Sequence, residues 1–204
     1  MGLEFLLTAL LVVLIPGTGV VYTVATGLAL GRHQGIAAAF GCTIGIVPAL
    51  VASTLGLAAL LHASALLFQI LKYAGAAYLL YLAWQAFREA GPMALAGRSA
   101  NAPSPWAVAR TGFLINVLNP KLSIFFLAFL PQFIHADGGS ATLQVLQMGG
   151  VFMALTLAVF VGYGMFAAVL GARVLGSRRA MAWLSRTVAV AFAGFGIRLA
   201  LSER

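Results

Sequence analysis

The groups best placed to do chemistry in this 204-residue chain are polar side chains stranded inside apolar runs. Lys121 is the most unusual, lying near the middle of GFLINVLNPKLSIFFLAFLPQF, where an ammonium is costly to keep. Either its long stem snorkels to an interface, or it forms an interior cation that pairs with a carboxylate. Asn119 and Pro120 stand just before it. Asparagine followed by proline reads as an N-cap and a first helical position, so the helix should break and restart there. A restarted helix offers unpaired N–H groups and a positive dipole end, both suited to a carboxylate. Pro16 and Gly17 interrupt an earlier apolar run in the same way, with Thr18 as the matching polar residue.

Thr18, Tyr22 and Thr26 recur every fourth residue and share one helix face, as do Asn116, Asn119 and Ser123. Asparagine in lipid should face a partner or a cavity. On an ideal helix Lys121 points away from Asn116, so a site holding both requires the break at Pro120. The candidate substrate-binding set is therefore Pro16, Gly17, Thr18, Tyr22, Asn116, Asn119, Pro120 and Lys121. The plainer reading is that the prolines only kink the bundle and the polar groups only bond neighbouring helices, which is the role expected of Thr23, Thr26 and Ser123.

Other chemistries find little purchase. Cys42 is the only cysteine, so neither an internal disulfide nor paired-thiol electron transfer is available. His33, His62 and His135 sit apart at the ends of apolar runs and suggest no metal site, and no cofactor is expected. The chain lacks HExxH, GxSxG and any carboxylate pair within a span, so an enzyme is not expected. Lys72, three residues after Gln69, is read as a snorkelling interfacial lysine.

The elements that position these groups are set by composition. Hydrophobic residues make up 62% of the chain and charged residues 8%, too few charges for a water-exposed surface. Only helices and closed barrels satisfy their backbone in hydrocarbon, and continuous apolar runs indicate helices. The expected fold is an all-α integral membrane protein with about six transmembrane helices, at Leu3–Leu30, Gly35–Leu61, Leu66–Phe87, Thr111–Phe133, Leu143–Leu170 and Met181–Leu201. The first run lacks the basic flank of a cleavable signal and is expected to be retained. Glycines 27, 31, 35, 41 and 45 follow the small-xxx-small spacing of closely packed helices, and Gly31 and Gly35 should also turn the chain.

Of the 12 basic residues, eight (Arg32, Arg88, Arg98, Arg110, Arg173, Arg178, Arg179 and Arg186) fall on one side, which the positive-inside rule makes cytoplasmic. Tyr81, Trp84 and Arg88 then mark the inner end of span three, and both termini lie outside. This orientation accounts for the net charge of +8 better than nucleic-acid binding does, because no basic stripe with interleaved aromatics is present. The partners expected are the lipid bilayer and a small solute, with no nucleic acid, and the composition leaves room for a homodimer.

Residues 1–204 form a single membrane domain made of a first three-helix repeat (1–90), a cytoplasmic linker (91–108) and a second three-helix repeat (109–204). VLIPG at Val13–Gly17 aligns with VLNPK at Val117–Lys121, and the same offset pairs Gly35 with Gly139 and Gly45 with Gly149. An odd number of spans per repeat inverts the second copy, the arrangement of many secondary transporters with midplane sites at broken helices.

These segments together resemble the lysine exporter (LysE/RhtB) family of amino acid exporters over nearly the whole chain. The resemblance rests on LLVVLIPGTG, GLALGRHQG, KYAGAAYLLYLAWQAFR and, most specifically, GFLINVLNPKLSIFFLAFLPQF. It implies a small multi-helix exporter of the bacterial inner membrane that moves an amino acid out of the cytoplasm on the proton gradient. The family's proline-glycine motif falls on Pro16, Gly17 and Thr18, and its asparagine-proline-lysine motif on Asn119, Pro120 and Lys121. Thr18 replaces the usual second proline, and Pro48 stands where many relatives carry histidine. The alternatives are an efflux carrier for another small solute or ion, and a non-transporting assembly subunit.

Overall fold

The computed structural model describes residues 2–55, 103–119, 121, 122, 125, 126, 130–135, 139–174 and 178–201, together with 69, 73, 76–78, 80, 81, 83, 84 and 87. Among these residues it is helical, with no strand. Seven α-helices run in order: α1 (Leu3–Leu14), α2 (Thr18–Leu30), α3 (Arg32–Ile44), α4 (Val47–Thr54), α5 (Pro105–Val117), α6 (Ala141–Val174) and α7 (Arg178–Leu201). A 3-10 turn lies at Leu130–Phe133.

Two stretches among the described residues are long and apolar enough to cross a membrane unaided: Arg32–Thr54 (α3 with α4) and Ala141–Gly171 within α6. A third is the pair α1 and α2, bent by 54° across Ile15, Pro16 and Gly17. The first span is thus broken at the expected proline. Span two begins three residues earlier than expected, at Arg32, because Gly31 alone makes the turn: its φ of 83° and ψ of −176° lie where only glycine sits comfortably. Gly35 is a correction. It lies inside α3 and serves packing, not the turn.

Burial separates the two halves of the broken span. In α1 only Phe5, Ala9 and Val13 are buried, a stripe at four-residue spacing, while Leu3, Leu7, Leu11 and Leu14 face outward. In α2 nine residues are buried, from Thr18 to Ala29, so this half-helix runs through the middle of the bundle. Large apolar side chains also cover the outside of α3, α4 and α6 (Phe40, Val51, Phe166, Val169), the surface a lipid-embedded protein needs.

Glycine lets the central helices touch backbone to backbone. A Cβ on Gly27 would strike the Gly164 carbonyl of α6, and one on Gly35 would lie 3.1 Å from the Gly164 Cα. One on Gly41 would strike the Ala109 carbonyl of α5, and one on Gly45 would lie 2.7 Å from the Phe113 carbonyl oxygen. The small-residue spacing thus brings α2, α3, α5 and α6 together at the four sites Gly27, Gly35, Gly41 and Gly45. Aromatic rings fill one end. Phe125 stacks on Phe152 of α6 at 4.5 Å, and Phe5 of α1 meets Phe133 edge-on at 5.5 Å.

Candidate functional site

The first break follows from one missing proton. The N–H of Ile15 bonds the Leu11 carbonyl at 3.0 Å, but Pro16 has no N–H for the carbonyl of Val12, four residues back. The chain then extends through Gly17 (φ −128°, ψ −170°), and α2 starts at Thr18 without a side-chain cap. Its first helical bond runs from the Val21 N–H to the Gly17 carbonyl, so the amides of Thr18, Gly19 and Val20 precede the bonded turns. The carbonyl end of one half-helix therefore lies beside the amide end of the next.

The second break is built around Asn119. Helix α5 ends at Val117, and the N–H of Asn119 closes a tight turn on the Asn116 carbonyl at 3.2 Å. The Asn119 Oδ1 accepts from the Lys121 backbone N–H at 3.1 Å, the N-cap geometry the asparagine-proline pair predicts. Asn119 Nδ2 donates to Asn116 Oδ1 at 3.2 Å, and Asn116 Nδ2 donates to the Cys42 carbonyl at 2.7 Å. That carbonyl is available because helix α3 loosens just before Pro48. There the Ile46 N–H turns to the Thr43 carbonyl (3.1 Å) instead of reaching back to Cys42. A break in span two thus anchors the break in span four.

The two breaks meet through Lys121. Its Nζ donates to the carbonyls of Val12 (2.9 Å) and Ile15 (2.8 Å), so it holds the very carbonyl that Pro16 leaves unpaired. A Cβ on Gly17 would lie 3.3 Å from this Nζ. The ammonium rests on the negative end of α1, where the dipole favours a cation.

Gly17, Gly19, Asn116, Asn119, Lys121 and Thr156 border a small cavity here, with Val13, Val20, Phe152 and Phe160 among its apolar lining. Its free volume is about 10 Å³, room for roughly one water. An amino acid does not fit unless the helices part.

The structure sorts the candidate residues. Gly17, Asn116, Asn119 and Lys121 come together on the cavity. Pro16 makes the break but is itself exposed. Thr18 does not line the cavity, yet it is 2% exposed and its hydroxyl has no partner among the described residues. Tyr22 is fully buried away from the cavity, and its hydroxyl donates to the Val108 carbonyl at 2.9 Å, tying α2 to α5. Pro120 lies outside the described residues, as do Lys72, Ser123, His62, Arg88 and most of the linker. Thr23 is buried against the Cys42 thiol.

Sequence reasoning missed the contribution of α6 and the role of Gly19. The Thr156 hydroxyl donates to the Phe152 carbonyl at 2.8 Å, and a threonine in the middle of that apolar run was the available signal. A Cβ on Gly19 would fall 2.6 Å from Asn116 Oδ1 and 3.0 Å from the Phe160 ring, so glycine here leaves the Asn116 amide room to hold its two hydrogen bonds.

The LysE type translocator family model matches residues 10–203. A protein described as an uncharacterized membrane protein of Vibrio cholerae serotype O1 is 34% identical over 201 residues, covering 98% of this chain and 97% of that one. The homoserine/homoserine lactone efflux protein of Salmonella typhimurium is 33% identical over 175 residues, covering 86% of this chain and 84% of that one. The leucine efflux protein of Enterobacter sp. strain 638 is 25% identical over 197 residues, covering 96% and 93%. No solved structure matches the chain.

Proposed function

Because this chain belongs to the LysE type translocator family, we propose that it exports an amino acid or close derivative from the cytoplasm across the bacterial inner membrane. The observation that carries the proposal is the meeting of the two broken helices at Lys121, with its Nζ 2.8 Å from the Ile15 carbonyl and beside Gly17 at the start of α2. Cation, helix N-terminus and the carbonyl end of α1 together present both signs of charge to a zwitterion, in a setting where irregular backbone is tolerated only if it is buried or lines a cavity. The unpaired Thr18 hydroxyl, one residue from Gly17 and Gly19, adds a buried donor still awaiting a partner.

In this reading the chain is two inverted three-helix repeats, residues 1–90 and 109–204, and the site lies between their broken leaders. The order of features supports it. Each half has a break beside a proline and then a left-handed glycine, Gly31 (φ 83°) or Gly139 (φ 80°), shortly before the next helix, α3 or α6. In this reading a cavity with room for about one water is a stage of alternating access that holds no substrate. Lys121 is the mid-span ionisable group through which a proton gradient would act, since Glu4, Glu89, Asp137 and Glu203 all lie near ends or in loops of the sequence. Substrate contacts are assigned to Gly17, Asn116, Asn119 and Lys121 on the cavity, and to Thr18 once the helices part, with Pro16 and Pro120 creating the backbone ends and Tyr22 bracing α2.

Counterflow of a labelled amino acid panel in proteoliposomes tests this. An exporter exchanges at least one member, and Asn119→Ala and Lys121→Ala lose that exchange while still being produced in the membrane. Absence of exchange with every amino acid removes the proposal; normal exchange in both variants moves the site elsewhere.

A further inference from the structure

A zwitterion needs two receptors, and the cavity offers only one side chain of full charge. Among its described lining residues there is no Asp or Glu to receive an α-ammonium. The amide oxygens are already engaged: Asn116 Oδ1 accepts from Asn119, and Asn119 Oδ1 accepts from the Lys121 N–H. The acceptors concentrated at one point are the carbonyls at the end of α1, freed by Pro16 and drawn together by the helix dipole. In this structure Lys121 holds them, with its Nζ 2.9 Å from Val12 and 2.8 Å from Ile15.

We infer that the carbonyl end of α1 is the ammonium subsite of the exporter, and that Lys121 fills it as a tethered stand-in whenever the substrate is absent. The inference rests on the export reading above. An alkylammonium and an α-ammonium have the same three donors and the same charge, so one replaces the other without rebuilding the carbonyls. When substrate enters, its ammonium takes the carbonyls of Val12 and Ile15. Lys121 swings the short distance to the substrate carboxylate, which also reaches the amides ahead of the first bonded turn of α2. The exchange leaves the net charge of the site unchanged, because a zwitterion adds none, and both the carbonyls and Lys121 keep a hydrogen-bond partner before and after it. It also makes Lys121 a specificity residue, since a ligand without a free ammonium cannot displace it.

The test uses the intact protein in proteoliposomes, with exchange of labelled L-leucine and L-homoserine. Unlabelled free amino acid, its N-acetyl derivative and its methyl ester serve as competitors. The inference expects N-acetylation to weaken competition by about tenfold or more, while the ester, which keeps the ammonium, still competes. Equal competition by the free and N-acetylated forms, with the ester inactive, overturns it and leaves the export reading intact. Exchange of neither amino acid removes the export reading, and the subsite falls with it.

A second measurement does not depend on transport. In Lys121→Met the tethered rival is gone, so leucine methyl ester should raise the melting temperature of the variant more than that of the wild type. An equal or smaller rise in the variant counts against the stand-in role. The competitor series on the wild type stands even if this variant does not fold.

Discussion

Replacing Gly45 with alanine should disable the site from a helix that contributes no side chain to the cavity. An added Cβ at Gly45 would sit 2.7 Å from the Phe113 carbonyl oxygen and 2.8 Å from the Asn116 Cβ, whereas ordinary contact begins near 3.4 Å. Backbone cannot rotate out of the way, so α5 must retreat by about 0.7 Å. The bond from Asn116 Nδ2 to the Cys42 carbonyl is 2.7 Å long and spans that same gap, and the retreat stretches it past the useful range of about 3.2 Å. Overpacking of this kind costs about 1–3 kcal/mol, and the lost buried bond adds about 0.5–1.5 kcal/mol. Asn116 then no longer fixes Asn119, nor Asn119 the backbone of Lys121. Thermal unfolding in detergent should show the loss of stability, and counterflow should show exchange reduced further than the stability loss explains. A Gly45→Ala protein with wild-type melting and exchange would refute the claim that α3 and α5 are pressed together at this point.

Four further outcomes are expected. Lys121→Met leaves the Val12 and Ile15 carbonyls without their cation and should cost about 1.5–3 kcal/mol in thermal unfolding; an unchanged melting curve would show that these bonds carry no net stability. Gly31→Ala should cost about 1–3 kcal/mol although a Cβ there meets nothing within 4 Å, because the strain is in the backbone alone. Gly31→Asn should do no better, since a ψ of −176° lies far from the left-handed helical region asparagine tolerates, and rescue by asparagine would contradict the turn. Gly19→Ala should abolish exchange with little change in membrane yield, as its Cβ would fall on Asn116 Oδ1; retained exchange measured in proteoliposomes would separate Gly19 from the site.

The breaks were legible in the sequence because proline and asparagine act locally. Pro16 removes one named hydrogen bond, and Asn119 caps the next turn whatever surrounds it. The meeting of the breaks was not legible, because Lys121 bonds backbone carbonyls more than a hundred residues away, and every residue type carries the same carbonyl. Gly41 and Gly45 announced close packing but not its partner, since glycine admits any backbone. Gly35 looked like part of a turn only because Gly31 stands four residues before it. Pro48 stands out in the sequence only as a departure from the histidine of many relatives; its structural setting is a loosened helix that hands the Cys42 carbonyl to Asn116. Tyr22 shared a face with Thr18, yet α5 claims its hydroxyl, a pairing that depends on the helix crossing.

Gly27, Gly35 and Gly164 put three main chains in contact with no side chain between them. Interlocked side chains make a ratchet, in which one helix turns against another only by resetting rotamers over a whole ridge. Bare main chain on bare main chain is a smooth bearing instead. Such a joint has no teeth to disengage, so a pivot of α2, α3 and α6 about it would require no rotamer at the contact to reset. A methyl group at any of the three positions would jam the bearing without touching a residue that lines the cavity.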